Sequence, residues 1–261
     1  MNQTALLRTT ADSPVALVTG AGRRLGNALA IELAARGYRL VLHAHGSQAA
    51  AETTARELTS RGSEAIALAA DLCDEAATRR LITAAHEHFG RLDALVNNAA
   101  VWVSKPLEAV TAADVRQHFE INTLGTFICC QEAGLIMVGQ PEGGAIVNLG
   151  DWATLRPYLG YAAYFAAKGS IPTLTRAFAV ELGTRNPRVR VNAVLPGPVL
   201  LPDAMSRREK QEIIDATLVK REGTPRDVAE AVVFLLSHTF ITGACLRVDG
   251  GRSIYSPAEV D

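Results

Sequence analysis

Seven short apolar runs divide the chain: Val15 to Thr19, Arg39 to Ala44, Glu64 to Ala70, Ala94 to Ala99, Ala145 to Gly150, Arg190 to Gly197 and Cys245 to Gly250. Their apolar character is continuous rather than alternating, which suits strands of a parallel sheet covered on both faces. Between them lie segments of helical periodicity near 25–36, 48–60, 74–89, 111–138, 161–186, 207–220 and 225–236. This alternation predicts right-handed βαβ crossovers and a doubly wound α/β fold with seven parallel strands. No linker, repeat or low-complexity tract interrupts it, so residues 1–261 read as a single domain. In such sheets ligands bind beyond the carboxyl ends of the strands, and chemistry is expected in the loops that follow the apolar runs.

Composition removes several alternatives. The net charge of -1, from 26 basic and 27 acidic residues, favours neither nucleic acid nor an anionic membrane as a partner. No apolar run is expected to span a membrane. Residues 1–13 carry one basic side chain and no long apolar stretch, so they read as a loose leader rather than a secretory signal. Cys73, Cys129, Cys130 and Cys245 have neither metal-type nor disulfide-type spacing and are expected to be four buried thiols of a cytoplasmic protein. No metal site is expected, because the His43/His45 pair lacks a third ligand.

The first run leads into TGAGRRLG at 19–26 and then into a helix. Gly20 permits a tight turn and Gly26 close packing, while the helix start near Leu25 offers amides to a phosphate. Arg24 stands where a dinucleotide loop usually has glycine; it and Arg23 read either as solvated surface arginines or as positive charge for the cofactor phosphates. The second run ends in HAHGS, His43 to Ser47, without the acid that would bind ribose hydroxyls and repel a 2′-phosphate. His45, Ser47 and an arginine could meet that phosphate, so NADP(H) is the expected cofactor.

Tyr164 and Lys168 lie one helical turn apart on one face. An ammonium beside the phenol is expected to lower its pKa from ~10 towards useful general-acid strength. Together with Asp71-Leu72, NNAA at 97–100, Asn122, PG at 196–197 and VDGG at 248–251, these motifs resemble the short-chain dehydrogenase/reductase family over nearly the whole chain. The resemblance implies a single-domain Rossmann fold and a homotetramer paired through the helices at 111–138 and 161–186. It implies that Tyr164 is the proton donor, that Lys168 binds the nicotinamide ribose, and that Asn122 helps hold a proton-relay water. Asp71 and Leu72 would border the adenine, and Asn98, Ala99 and Ala100 would run along the cofactor. His43, Gly46, Pro196, Gly197 and Val199 complete the implied cofactor set. Gly46 and Val199 replace residues that would offer polar contacts.

The family's catalytic serine is expected thirteen residues before the tyrosine, and Asp151 occupies that place. A carboxylate there would repel a developing alkoxide, yet it could serve a heterocycle that presents N–H groups or gains a proton at a ring nitrogen. Arg24, HAHGS, Asp151 and GYAAYFAAKGS resemble the pteridine reductase branch, which reduces pterins with NADPH. In that resemblance Trp102 is a stacking platform for the substrate, Tyr161 lines the pocket, and Arg24, Asp151 and Tyr164 also face the substrate. Tyr158 receives no role. Residues 200–220 read as a mobile lid. The alternatives are an NADPH-dependent carbonyl or 3-oxoacyl-thioester reductase and, from another class, a non-catalytic NADPH-binding sensor.

Overall fold

The computed structural model describes residues 9–256. Its strands are β1 (Val15–Val18), β2 (Arg39–Ala44), β3 (Ala65–Ala69), β4 (Ala94–Asn97), β5 (Gly144–Leu149), β6 (Val189–Pro196) and β7 (Cys245–Val248). All pair in parallel, in the order β3-β2-β1-β4-β5-β6-β7, as the continuous apolar runs predict. The winding direction reverses between β1 and β4, which opens a crevice at their carboxyl ends.

The helices are α1 (Arg24–Ala35), α2 (Gln48–Ser60), α3 (Glu75–Phe89), α4 (Ala112–Phe119), α5 (Thr126–Gly139), α6 (Ala162–Lys168), α7 (Ile171–Gly183), α8 (Arg207–Asp215) and α9 (Pro225–Ser237). Because successive strand side chains alternate in direction, β1 to β6 feed two cores. Ala16, Val18, Leu40, Leu42 and Val147 pack with α1, α2 and α9. Val15, Leu17, Val41, Leu95, Ile146 and Val191 pack with α3, α5 and α7. Side-chain caps fix several helix starts: Asp74 accepts from Ala77 N–H at 3.0 Å, and Thr111–Asp114 and Thr224–Asp227 form capping boxes.

The structure corrects several expectations. The helix expected over 161–186 breaks at Gly169–Ser170, because Pro172 in the first turn of α7 has no N–H to continue the α6 ladder. The helix expected over 111–138 runs without a break but contains a π-helical turn at Glu120–Gly125. Contrary to the expectation about membrane spans, Ala112–Gly139 is long and apolar enough to cross a membrane by length and composition. Half of its most apolar window is buried within the protein, so core packing accounts for much of that character. The helix expected over 207–220 stops at Asp215.

Only Cys129 and Cys130 are buried; Cys245 is half-buried, and Cys73 lies exposed in the turn before α3. Residues 1–8 of the expected leader lie outside the described residues. Its last part is not loose: Thr9 N donates to Gly62 O at 3.0 Å, and Thr9 Oγ1 accepts from Glu64 N at 2.9 Å.

Candidate active site

Beyond β1, β2 and β4 most of the expected cofactor residues converge. Gly20, Arg23, Arg24, Leu25, Gly26, His43, His45, Ser47, Asp71, Leu72, Asn98, Ala99 and Ala100 line one groove. Val101 and Ile121, which carry no motif signal, complete it. A Cβ on Gly26 would stand 2.1 Å from Gly20 O, and one on Gly22 would stand 2.3 Å from Ser47 Oγ. The loop therefore packs to a closeness only glycine permits, and its third glycine was legible in the motif without being singled out. Asn98 Nδ2 donates to the carbonyls of Thr19 and Gly20 at 2.9 and 3.1 Å. Thr19 Oγ1 accepts from the amides of Asn98 and Ala99. These bonds stitch the two loops together across the switch point, leaving a cradle that suits a dinucleotide.

Other expected residues fall elsewhere or are already engaged. His43 is buried; its Nδ1 accepts from Gly20 N at 3.2 Å, and its Nε2 lies 3.0 Å from Ala70 O. Burial lowers its pKa, so a neutral ring braces the loop and has no nitrogen left for a phosphate. That end of the groove is left to Arg23, His45 and Ser47. Gly46 turns the chain outside the groove at φ 69°. Pro196 ends β6, and Gly197 packs so tightly that a Cβ would meet Asp249 Cα at 2.4 Å. Val199 bridges to Gly223 at the lid base rather than joining the groove. Arg24 holds a left-handed backbone, at φ 53°, and its Nη2 donates to Leu200 O at 2.5 Å.

The catalytic candidates meet just past β5. Asp151 caps the short turn Trp152–Thr154, its Oδ1 accepting from Ala153 N at 2.8 Å, while Oδ2 accepts from the Tyr164 hydroxyl at 2.8 Å. Lys168, on the same α6 helix as Tyr164, donates from Nζ to Leu149 O at 2.7 Å. Tyr164 and Lys168 are both buried. Burial pushes Asp151 above the usual carboxylate range, against the opposing pull of the Ala153 amide, the Tyr164 hydroxyl and Lys168. Burial also lowers Lys168 to about 8, partly offset by Asp151.

Tyr164 is raised well above 10, first by burial and then by Asp151. The expected lowering by Lys168 is thus overturned: burial, which disfavours the phenolate, acts first, and the acid bonded to the phenol adds to it, while the ammonium is engaged with a carbonyl. Asn122 is fully buried in the π-helical turn, where its side chain accepts from Val101 N and donates to Val101 O at 2.9 and 3.0 Å. Both side-chain ends hold the groove wall.

An aromatic wall flanks this centre. Trp102 stacks on Tyr161 with centroids 4.7 Å apart and planes 11° from parallel, so one indole face is already covered. Tyr158 packs edge-on to Tyr161 and Phe165 at 5.2 and 4.9 Å, and burial followed by Asp151 pushes its phenol up to about 12. Trp102 and Tyr158 remain exposed on their outer sides. Sequence spacing could not bring Tyr158 to this wall, because the irregular 155–161 segment has no periodicity. Beneath the centre, Asn97 Nδ2 donates to Asn148 Oδ1 at 2.9 Å and Asn148 Nδ2 donates to Thr175 Oγ1 at 3.0 Å, tying β4, β5 and α7 together.

Comparison with known proteins agrees with this geometry. The family profile described as "Enoyl-(Acyl carrier protein) reductase" matches residues 20–253. The granaticin polyketide synthase putative ketoacyl reductase 2 of Streptomyces violaceoruber is 37% identical over 93% of this chain and 97% of its own. Versicolorin reductase 1 of Aspergillus parasiticus is 34% identical, over 92% and 96%. A 3-oxoacyl-(acyl-carrier-protein) reductase of Staphylococcus aureus is 34% identical, over 90% and 96%. Among solved structures, a blue fluorescent protein from a metagenomic library, in complex with NADPH, superposes with a TM-score of 0.84 at 33% identity, covering 92% of this chain and 97% of that one. A putative short-chain alcohol dehydrogenase from Sinorhizobium meliloti 1021 gives 0.87 at 31%, covering 96% and 100%. With its parallel Rossmann sheet, its glycine-lined groove and its Tyr164–Lys168 pair, the chain belongs to the short-chain dehydrogenase/reductase family.

Proposed function

We propose that the chain is an NADPH-dependent reductase of a ketone or 3-oxoacyl thioester in which Asp151 works in its neutral, protonated form. The observation that carries the reading is the 2.8 Å bond from Tyr164 to Asp151 in a setting that raises the acid's pKa. The objection to an acid here is that a carboxylate repels an alkoxide. A neutral carboxyl removes that objection, since it donates a hydrogen bond as a serine hydroxyl does. The ketoacyl and 3-oxoacyl reductase relatives support the same substrate class.

NADP(H) fits the cradle: the amides around Gly20 to Gly26 would receive its pyrophosphate, and Arg23, His45 and Ser47 its 2′-phosphate. When bound, the cofactor supplies the hydride that reaches the carbonyl carbon. Tyr164 donates its hydroxyl proton to the carbonyl oxygen as that oxygen becomes a hydroxyl. The Asp151 carboxyl then returns a proton to the Tyr164 oxygen and is itself reprotonated from water, which closes the balance. Lys168, a buried cation, stabilises the transient phenolate. Trp102, Tyr158 and Tyr161 form one wall for the acyl or ring part of the substrate.

A second reading, reduction of a pterin-type heterocycle, is favoured by Asp151 itself, since the same carboxyl could protonate a ring nitrogen. The test is NADPH oxidation against ketones, 3-oxoacyl thioesters, dihydrobiopterin and dihydrofolate, with Asp151→Ser and Tyr164→Phe alongside. Carbonyl turnover lost in Tyr164→Phe and retained in Asp151→Ser is expected. Turnover of pterins alone, lost in both variants, would replace the carbonyl reading. The proposal includes a cytoplasmic homotetramer, supported by the exposed apolar side chains Phe127, Leu135 and Val180 on α5 and α7. Light scattering after gel filtration tests the assembly.

A further inference from the structure

Among the described residues only three non-glycine residues hold a left-handed backbone: Arg24 at φ 53°, Leu200 at φ 55° and Lys220 at φ 53°. L-residues avoid that region because Cβ crowds the following carbonyl, so such conformations persist only where the surroundings enforce them. Leu200 and Lys220 bracket the lid, and Arg24 lies in the glycine loop. One hydrogen bond joins two of the three, from Arg24 Nη2 to Leu200 O at 2.5 Å. The lid base is also pinned by Gly223 N to Pro198 O, Leu201 N to Glu222 Oε1 and Leu218 N to Gly250 O, at 2.9, 2.7 and 2.8 Å. Beyond that base, α8 buries none of its residues and closes on its own Ser206–Glu209 capping box. A segment with so little buried surface opens at low cost.

We infer that Arg24 is a positioning residue that couples occupancy of the cofactor groove to closure of the lid. A guanidinium carries five N–H donors in a planar fork, and the bond to Leu200 uses one. The same side chain lines the groove. A phosphate oxygen taken up by the remaining donors holds the guanidinium in the plane from which it reaches Leu200, so filling the groove strengthens the latch. By linkage, a substrate that closes the lid tightens cofactor binding by the same factor. The coupling rests on the groove taking NADP(H); the latch does not.

Hydrogen–deuterium exchange of the full chain, with and without saturating NADPH, tests both parts in wild type, Arg24→Gly and Arg24→Lys. NADPH binding is followed in parallel by fluorescence titration. Glycine accepts the left-handed backbone while removing the donor, and lysine keeps the charge without the fork. Without cofactor, Arg24→Gly is expected to speed exchange several-fold across residues 201–215 and to leave α9 unchanged. Lid exchange that does not change overturns the latch. Saturating NADPH is expected to slow wild-type lid exchange about tenfold, an ordinary site-to-site coupling, and to slow it less than about twofold in either variant. Equal slowing in the variants, or none in the wild type, overturns the coupling. Failure of NADPH to bind at all would overturn the functional reading and the coupling with it, while the cofactor-free comparison still decides the latch.

Discussion

Lys168 sets the sharpest quantitative test. Its ammonium is buried, bonded to one backbone carbonyl, and lowered from 10.5 to about 8 chiefly by burial. A drop of that size corresponds to about 3 kcal/mol of folding free energy, at ~1.4 kcal/mol per pKa unit. The sign follows from linkage. Below pH 8 the amine is charged in both folded and unfolded chains, and folding bears the whole cost of burying the charge. Between pH 8 and 10.5 the unfolded chain binds more protons, so stability rises with pH; above 10.5 the cost is gone. Lys168→Met carries no such group. The difference in unfolding free energy between wild type and variant, measured by urea titration from pH 7 to 10.5, is therefore expected to shift by about 3 kcal/mol in favour of the wild type as pH rises. Taking the difference cancels the titrating groups that do not interact with Lys168. A gap that stays constant across that range would mean the charge is hydrated in the folded protein, and the argument for a buried cation steadying Tyr164 would fail with it. NADPH oxidation should be lost in Lys168→Met whatever its stability.

Asp151 has a raised pKa in the folded chain, so its neutral form, and the stability that goes with it, are present at low pH and lost as pH rises through that value. The carbonyl-reduction rate at saturating NADPH should fall over the same limb, and Asp151→Ser should flatten it; an unchanged pH–rate profile would count against proton donation by this acid. Gly26→Ala places a methyl 2.1 Å from Gly20 O and 2.6 Å from Asn98 Nδ2. A loss of at least ~3 kcal/mol in denaturant stability is expected, together with loss of NADPH fluorescence enhancement. Asn148→Ala removes partners from both Asn97 and Thr175 in a fully buried chain, so urea denaturation should show a cost of roughly 2 kcal/mol or more.

What the sequence by itself determined is the part governed by local chemistry. Continuous apolar runs identify every strand, because a sheet covered on both faces leaves few polar positions within them. Gly20, Gly26, Tyr164 and Lys168 are legible because a tight turn and a one-turn helical spacing are short-range geometry. Only the tertiary structure decided what depends on contacts between distant segments. His43 lines the groove as its position implies, but only the fold shows that Gly20 N and Ala70 O use both of its nitrogens. Asn122 has a motif position in the sequence, but only the fold shows its side chain clasping the Val101 backbone at both ends. Tyr158 has no signal until folding sets it against Tyr161 and Phe165. The direction of the Tyr164 shift also follows from tertiary structure: helical spacing brings in Lys168, but packing buries the phenol and the strand-end loop delivers the bonded acid, and both raise its pKa.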